Sequence, residues 1–182
     1  MHRSLALVLG AFSVPAPALV PAPAAPPCSG PEYRTLDFWV GEWTAEWDNG
    51  DGTKGTGTNR ITRDEHGQCA IVEHYHSDDG SLDGFSISTY RPGSKRWRQT
   101  WVDAQGGYFD LIGGPVEGSD HRFSLETVRI SETQPYQRMI FQDVQPDGFT
   151  WRWQLRAKAE DAWKDSWVIK YRRKASTGAA KS

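Results

Sequence analysis

Phe38-Trp39-Val40-Gly41-Glu42-Trp43-Thr44-Ala45-Glu46-Trp47 changes character along its length. It starts as an aromatic cluster, and from Gly41 it alternates, with Glu42, Thr44 and Glu46 against Trp43, Ala45 and Trp47. Period-two alternation marks a half-buried β-strand, and the aromatic set belongs on the inner face. Asp48-Asn49-Gly50-Asp51-Gly52 then supplies turn chemistry, because Asn and Gly tolerate positive φ. Those acids lack the distal Glu of a calcium loop.

The same alternation continues downstream. Strands are expected over Thr53 to Arg63, Cys69 to His76, Phe85 to Tyr90 and Arg96 to Val102, then Tyr108 to Ile112 and His121 to Ile130. Three more run over Gln137 to Val144, Phe149 to Arg156 and Trp163 to Arg173. Arg91-Pro92-Gly93-Ser94, Gly113-Gly114-Pro115 and Gln145-Pro146-Asp147-Gly148 read as turns between them. Pro31 to Phe38 reads as a turn or short helical cap. About ten strands at regular spacing, without a long helix, predict an all-β, antiparallel up-and-down barrel; a β-sandwich is the alternative.

Upstream the sequence is of another kind. Residues 1–24 carry His2 and Arg3, an apolar run from Leu5 to Val14 and then Pro and Ala, the pattern of a cleaved secretory signal. The apolar run is shorter than the roughly 20 residues of a membrane anchor. A Pro/Ala-rich leader over 25–32, a barrel over 33–174 and a disordered tail over 175–182 complete the expected organisation, in a periplasmic or secreted protein. Cys28 lies close behind the signal, but Ala25-Pro26-Pro27 before it does not suit lipidation. In an oxidising compartment Cys28 and Cys69 could pair, closing a loop of roughly 40 residues, or remain free thiols.

The 182 residues carry 21 Lys and Arg against 23 Asp and Glu, a net charge of -2. Without a basic excess there is no electrostatic footprint for nucleic acid. His74 and His76 share a strand face near Asp78 and Asp79, yet two ligands make half a tetrahedral metal site, so a solvated face is expected and no metal. The nine Trp residues are unusual. They either fill a small barrel or line a pocket for a flat or apolar molecule.

Glu73 and Tyr75 share a phase with Ile71, Asp103 with Trp97 and Trp101, and Asp165 with Trp167. A carboxylate among indoles has its pKa raised by desolvation, which is how general acids and bases arise. The leading expectation is a binding domain for a small hydrophobic or aromatic ligand, using Glu73, Tyr75, Trp97, Trp101, Trp151, Trp153 and Arg152. The alternatives are an enzyme using Glu73 or Asp103 for acid/base chemistry of lyase, isomerase or hydrolase type, and an envelope domain with a filled barrel. The sequence leaves the oligomeric state open.

Gly41-Glu42-Trp43 resembles the Gly-x-Trp that opens the first strand of calycin and lipocalin barrels. That resemblance implies that Trp43 plugs one barrel end beneath a basic residue of the last strand, here Arg173. Leu36 to Trp43, Gly57-Thr58-Asn59-Arg60-Ile61, Tyr90 to Asp103 and Ser166 to Tyr171 resemble the exported bacterial domains called DUF1579. This family implies a calycin-like barrel and no established activity. The chain is also similar in architecture to nitrobindin, a haem barrel whose iron is held by a late His. No His follows His121 here, and no cofactor is expected.

Overall fold

The computed structural model describes residues 26–64, 69–118 and 121–175. The expected export segment and all but the first residue of the expected tail lie outside the described residues. The ten strands are β1 (Gly41–Asp48), β2 (Lys54–Arg63), β3 (Ala70–Ser77), β4 (Asp83–Arg91) and β5 (Arg96–Asp103), followed by β6 (Tyr108–Pro115), β7 (His121–Thr127), β8 (Tyr136–Gln145), β9 (Gly148–Arg156) and β10 (Lys164–Arg173). Every strand pairs antiparallel with its neighbour in sequence, and β1 pairs with β10 to close the barrel. The closing ladder runs from Trp43 opposite Arg173 to Trp47 opposite Ile169, so the sheet has no free edge and is not a sandwich.

Alternation sets the inner face of β1, where Trp43, Ala45 and Trp47 are buried. Three local departures from the sequence reading have physical causes. Gly113-Gly114-Pro115 is not a turn but the end of β6. A side chain at Gly113 would collide with the Ser124 carbonyl of β7, so this glycine marks a close backbone approach. The strand read as reaching Ile130 stops at Thr127, because Arg129 and Gln134 bond to backbone groups of the following loop. In β10 the register shifts between Asp165 and Trp167, so Asp165 leaves the phase of Trp167 and joins Arg152 on the outer wall. Trp163 lies under the guanidinium groups of Arg138 and Arg156, each 4.3 Å from the ring centre.

One end of the barrel is solid. Two 3-10 turns, Pro31–Arg34 and Asp37–Trp39, lay Leu36, Phe38 and Trp39 against Phe123, Phe141 and Phe149. The Trp43 indole donates to the Trp39 carbonyl at 2.8 Å. Arg173 covers that indole at 4.0 Å from the ring centre and donates to the carbonyls of Val40 and Pro146. Gly41 has φ 148°, and a Cβ there would fall on the Arg173 guanidinium, which is why this position is glycine.

Arg173→Ala is therefore expected to lower stability by about 1 to 2 kcal/mol through the lost cation–π contact and charged hydrogen bonds. Lys should not restore it, because an ammonium cannot cover the ring and reach both carbonyls as the planar guanidinium does. Urea midpoints of the two variants check this.

Cys28 and Cys69 form a disulfide with a Cα–Cα separation of 5.2 Å, tying the N-terminal segment to the start of β3. Arg63 adds a bond to the Tyr33 carbonyl and an ion pair with Asp37. Residues 28 to 32, expected as leader, are thus fastened to the barrel.

Candidate functional site

Strand β5 runs from Trp97 at the solid end to Asp103 at the other, and the interior changes along it. Towards Asp103 the indoles do not fill the barrel but surround a cavity of about 250 Å³. Alternation in β9 turns Trp151 and Trp153 inward as a near-parallel pair, 6.1 Å apart and 14° between planes. Trp167 meets Trp151 edge-on at 5.8 Å, and Tyr75 meets Trp167 edge-on at 6.1 Å. Trp101 and Phe109 complete the aromatic wall. Offset and edge-to-face packing of this kind fixes the rings and leaves their remaining faces towards the space between them.

The inner end of the cavity is polar. Glu73 Oε1 accepts from Asn59 Nδ2 at 2.7 Å, and Oε2 accepts from Ser86 Oγ at 2.7 Å. Gln99 Nε2 in turn donates to Ser86 and Ser88. Strand β4 is inverted relative to ordinary patterning to supply these groups. Ser86 and Ser88 are fully buried, whereas Phe85 and Ile87 are 43% and 49% exposed on the outside. Glu73 itself is 8% exposed, and burial pushes its carboxyl up to about 7, against the lowering effect of the Ser86 and Asn59 bonds.

Two buried polar atoms here have no protein hydrogen-bond partner among the described residues: the Tyr75 hydroxyl and Asn59 Oδ1. Leaving such a group unpaired costs about 1 to 3 kcal/mol. Tyr75 lines the cavity, while its hydroxyl oxygen is enclosed in the wall. Burial, and secondarily the charge of Glu73, hold the phenols of Tyr75 and Tyr171 above the ordinary tyrosine range.

At the mouth, Asp103 accepts from Trp101 Nε1 at 2.9 Å and from the backbone N–H groups of Gln105 and Gly107. This makes Asp103 a brace for the Trp101 ring as well as a charge at the entrance. Leu82 stands on the same rim.

Of the residues proposed from sequence, Glu73, Tyr75, Trp101, Asp103, Trp151 and Trp153 come together around one cavity. Trp97 does not line it. It is fully buried at the solid end, its Nε1 donating to Thr35 Oγ1. Arg152 does not line it either, because it occupies the outward phase of β9 and bonds Gln142 and Asp165 on the outer wall. Sequence reading missed Asn59, Ser86, Gln99 and Tyr171. Inward phase was the available signal for Gln99 and Tyr171, which alternate in step with Trp residues, whereas Asn59 and Ser86 are small polar residues that in a strand normally indicate the solvent side. His74 and His76 lie on the exposed face, where His74 stacks on Phe85 and His76 pairs with Asp83.

No protein-family model matches the sequence. No curated protein matches it either. Among solved structures it is similar to Rv2717c from M. tuberculosis, with TM-score 0.51 and 13% identity, covering 80% of this chain and 99% of that one. A likeness at that identity shows a shared barrel fold and carries nothing about activity.

Proposed function

We propose that this is a lipocalin-like binding domain that holds one small hydrophobic or aromatic molecule in the cavity between Trp101, Trp151, Trp153 and Trp167. The observation that carries the reading is an aromatic-walled space that is polar at its inner end, where Glu73 lines it. A cavity of about 250 Å³ lies just below the usual range for ligand pockets, which favours a compound of one or two rings. Gly41, Trp43 and Arg173 support the calycin-like assignment, and the DUF1579 resemblance remains a proposal on the stretches quoted above. Export to the periplasm or medium is proposed from the N-terminal 24 residues, and the Cys28–Cys69 disulfide supports an oxidising compartment. Among the described residues no helix is long and apolar enough to cross a membrane.

Titration with 2-naphthol tests the reading. Tryptophan emission should be quenched with one-to-one stoichiometry, and Leu82→Trp at the rim should weaken binding at least tenfold. Quenching unaffected by Leu82→Trp would place the binding elsewhere, and no saturable quenching would count against a ligand cavity.

A second reading has its own observation. Glu73, poised near neutrality at the inner end, is suited to take or give a proton, with Asp103 at the mouth. Ser86, its hydrogen-bond donor, is fully buried and does not line the cavity, so it is no candidate nucleophile. Turnover of any compound in a metabolite mixture that vanishes in Glu73→Gln would support acid/base catalysis.

A further inference from the structure

The cavity has a sign. Its charged lining consists of two carboxylates, Glu73 at the inner end and Asp103 at the mouth, and among the described residues no Lys, Arg or His lines it. The neighbouring cations Arg138, Arg152 and Arg156 lie outside the wall, stacked on Trp163 or paired with Asp165. An anion entering would lose its hydration with no counter-charge to meet it and two carboxylates in its way. A positive charge would be met by carboxylates and by the electron-rich faces of indoles, the best of the aromatic partners for a cation.

We infer that the occupant is an organic cation, an ammonium compound of one or two rings, with its charge held between the Trp151, Trp153 and Trp167 rings and the Glu73 carboxylate. This inference rests on the small-molecule reading above and narrows it. The geometry suits that charge in three ways. Trp151 and Trp167 are mutually perpendicular at 87°, as are Tyr75 and Trp167 at 86°, so the rings form adjoining walls rather than one flat stack. Among the described residues each Glu73 oxygen accepts one hydrogen bond, at 2.7 Å, which leaves acceptor capacity towards the cavity. The Asp103 carboxylate, lining the same cavity at its mouth, adds a second negative group on the path in.

Three probes of similar shape and different charge test it by tryptophan fluorescence on the intact, oxidised protein at pH 8.5. They are phenyltrimethylammonium, its neutral isostere tert-butylbenzene, and benzoate. The cation should bind at least tenfold more tightly than tert-butylbenzene, and benzoate should not bind. In Glu73→Gln the cation should lose about tenfold while tert-butylbenzene stays within twofold, which shows that the cavity persists. If tert-butylbenzene or benzoate binds as well as the cation, or if the cation preference survives Glu73→Gln undiminished, the inference is overturned while small-molecule binding stands. If none of the three binds at millimolar concentration the inference is overturned, and the small-molecule reading falls with it if 2-naphthol does not bind either.

Discussion

Replacing Cys28 and Cys69 together by Ser is expected to lower the free energy of unfolding by about 4 kcal/mol. The two residues are 41 apart in sequence, and releasing a loop of that length returns roughly 13 cal/mol/K of chain entropy to the unfolded state. The segment they secure carries Leu36, Phe38 and Trp39, which cover the solid end of the barrel, so the cross-link acts on an element the core needs. Urea unfolding should show a lower midpoint and a steeper slope, because the unfolded chain without the cross-link is less compact and exposes more surface. Because the disulfide lies away from the cavity, affinity for 2-naphthol should stay within twofold. A loss below 1 kcal/mol would mean that the segment is held mainly by Arg63 and the aromatic contacts.

Glu73→Gln should change the pH dependence of stability more than any other single substitution in the barrel. The folded carboxyl titrates at about 7, above the 4.5 of an ordinary glutamate. Below pH 4.5 the side chain is neutral in both folded and unfolded states, and its burial carries no charge penalty. Between 4.5 and 7 the unfolded chain ionises while the folded one keeps its proton, so stability falls as pH rises. Above pH 7 the loss is complete, on the order of 3 kcal/mol at 1.36 kcal/mol per unit. Gln removes this dependence. The variant should exceed the parent by roughly 2 kcal/mol at pH 8, since it forfeits the bond that Ser86 donates, and should match or fall slightly below it at pH 4. Chemical denaturation at the two pH values reads the difference, and equal gaps at both would show that folding leaves the Glu73 carboxyl unshifted.

The strands were legible because most of them state their own phase, whereas closure was not, and the sequence left a sandwich as the alternative. Trp43, Ala45 and Trp47 alternate against Glu and Thr, and Phe149, Trp151 and Trp153 alternate against Thr150, Arg152 and Gln154. Strand spacing located eight of the nine hairpin turns, and the misplaced one, at Gly113, failed because glycine serves close approach as readily as chain reversal. Asp165 was lost to a bulge, which a period-two reading cannot anticipate since it assumes unbroken register.

The candidate site was legible only in part, for a related reason. Glu73 stood out as a charge in phase with Ile71, and its burial follows from that phase. Its partners did not stand out. Asn59 and Ser86 look like surface residues in sequence, and the carboxylate they serve explains their place inside, while Gln99 has the phase of Trp97 and Trp101 and bonds Ser86. Trp97 and Trp101 share one face of β5, yet one packs the solid end and the other lines the cavity. Phase tells inside from outside; it does not tell one end of a barrel from the other.

Native mass spectrometry of the chain purified from its own cells tests the account most directly. The account predicts one small organic adduct per chain, lost on denaturation and absent from Leu82→Trp. A bare polypeptide mass, with no adduct formed by phenyltrimethylammonium, tert-butylbenzene or 2-naphthol at millimolar concentration, would contradict it.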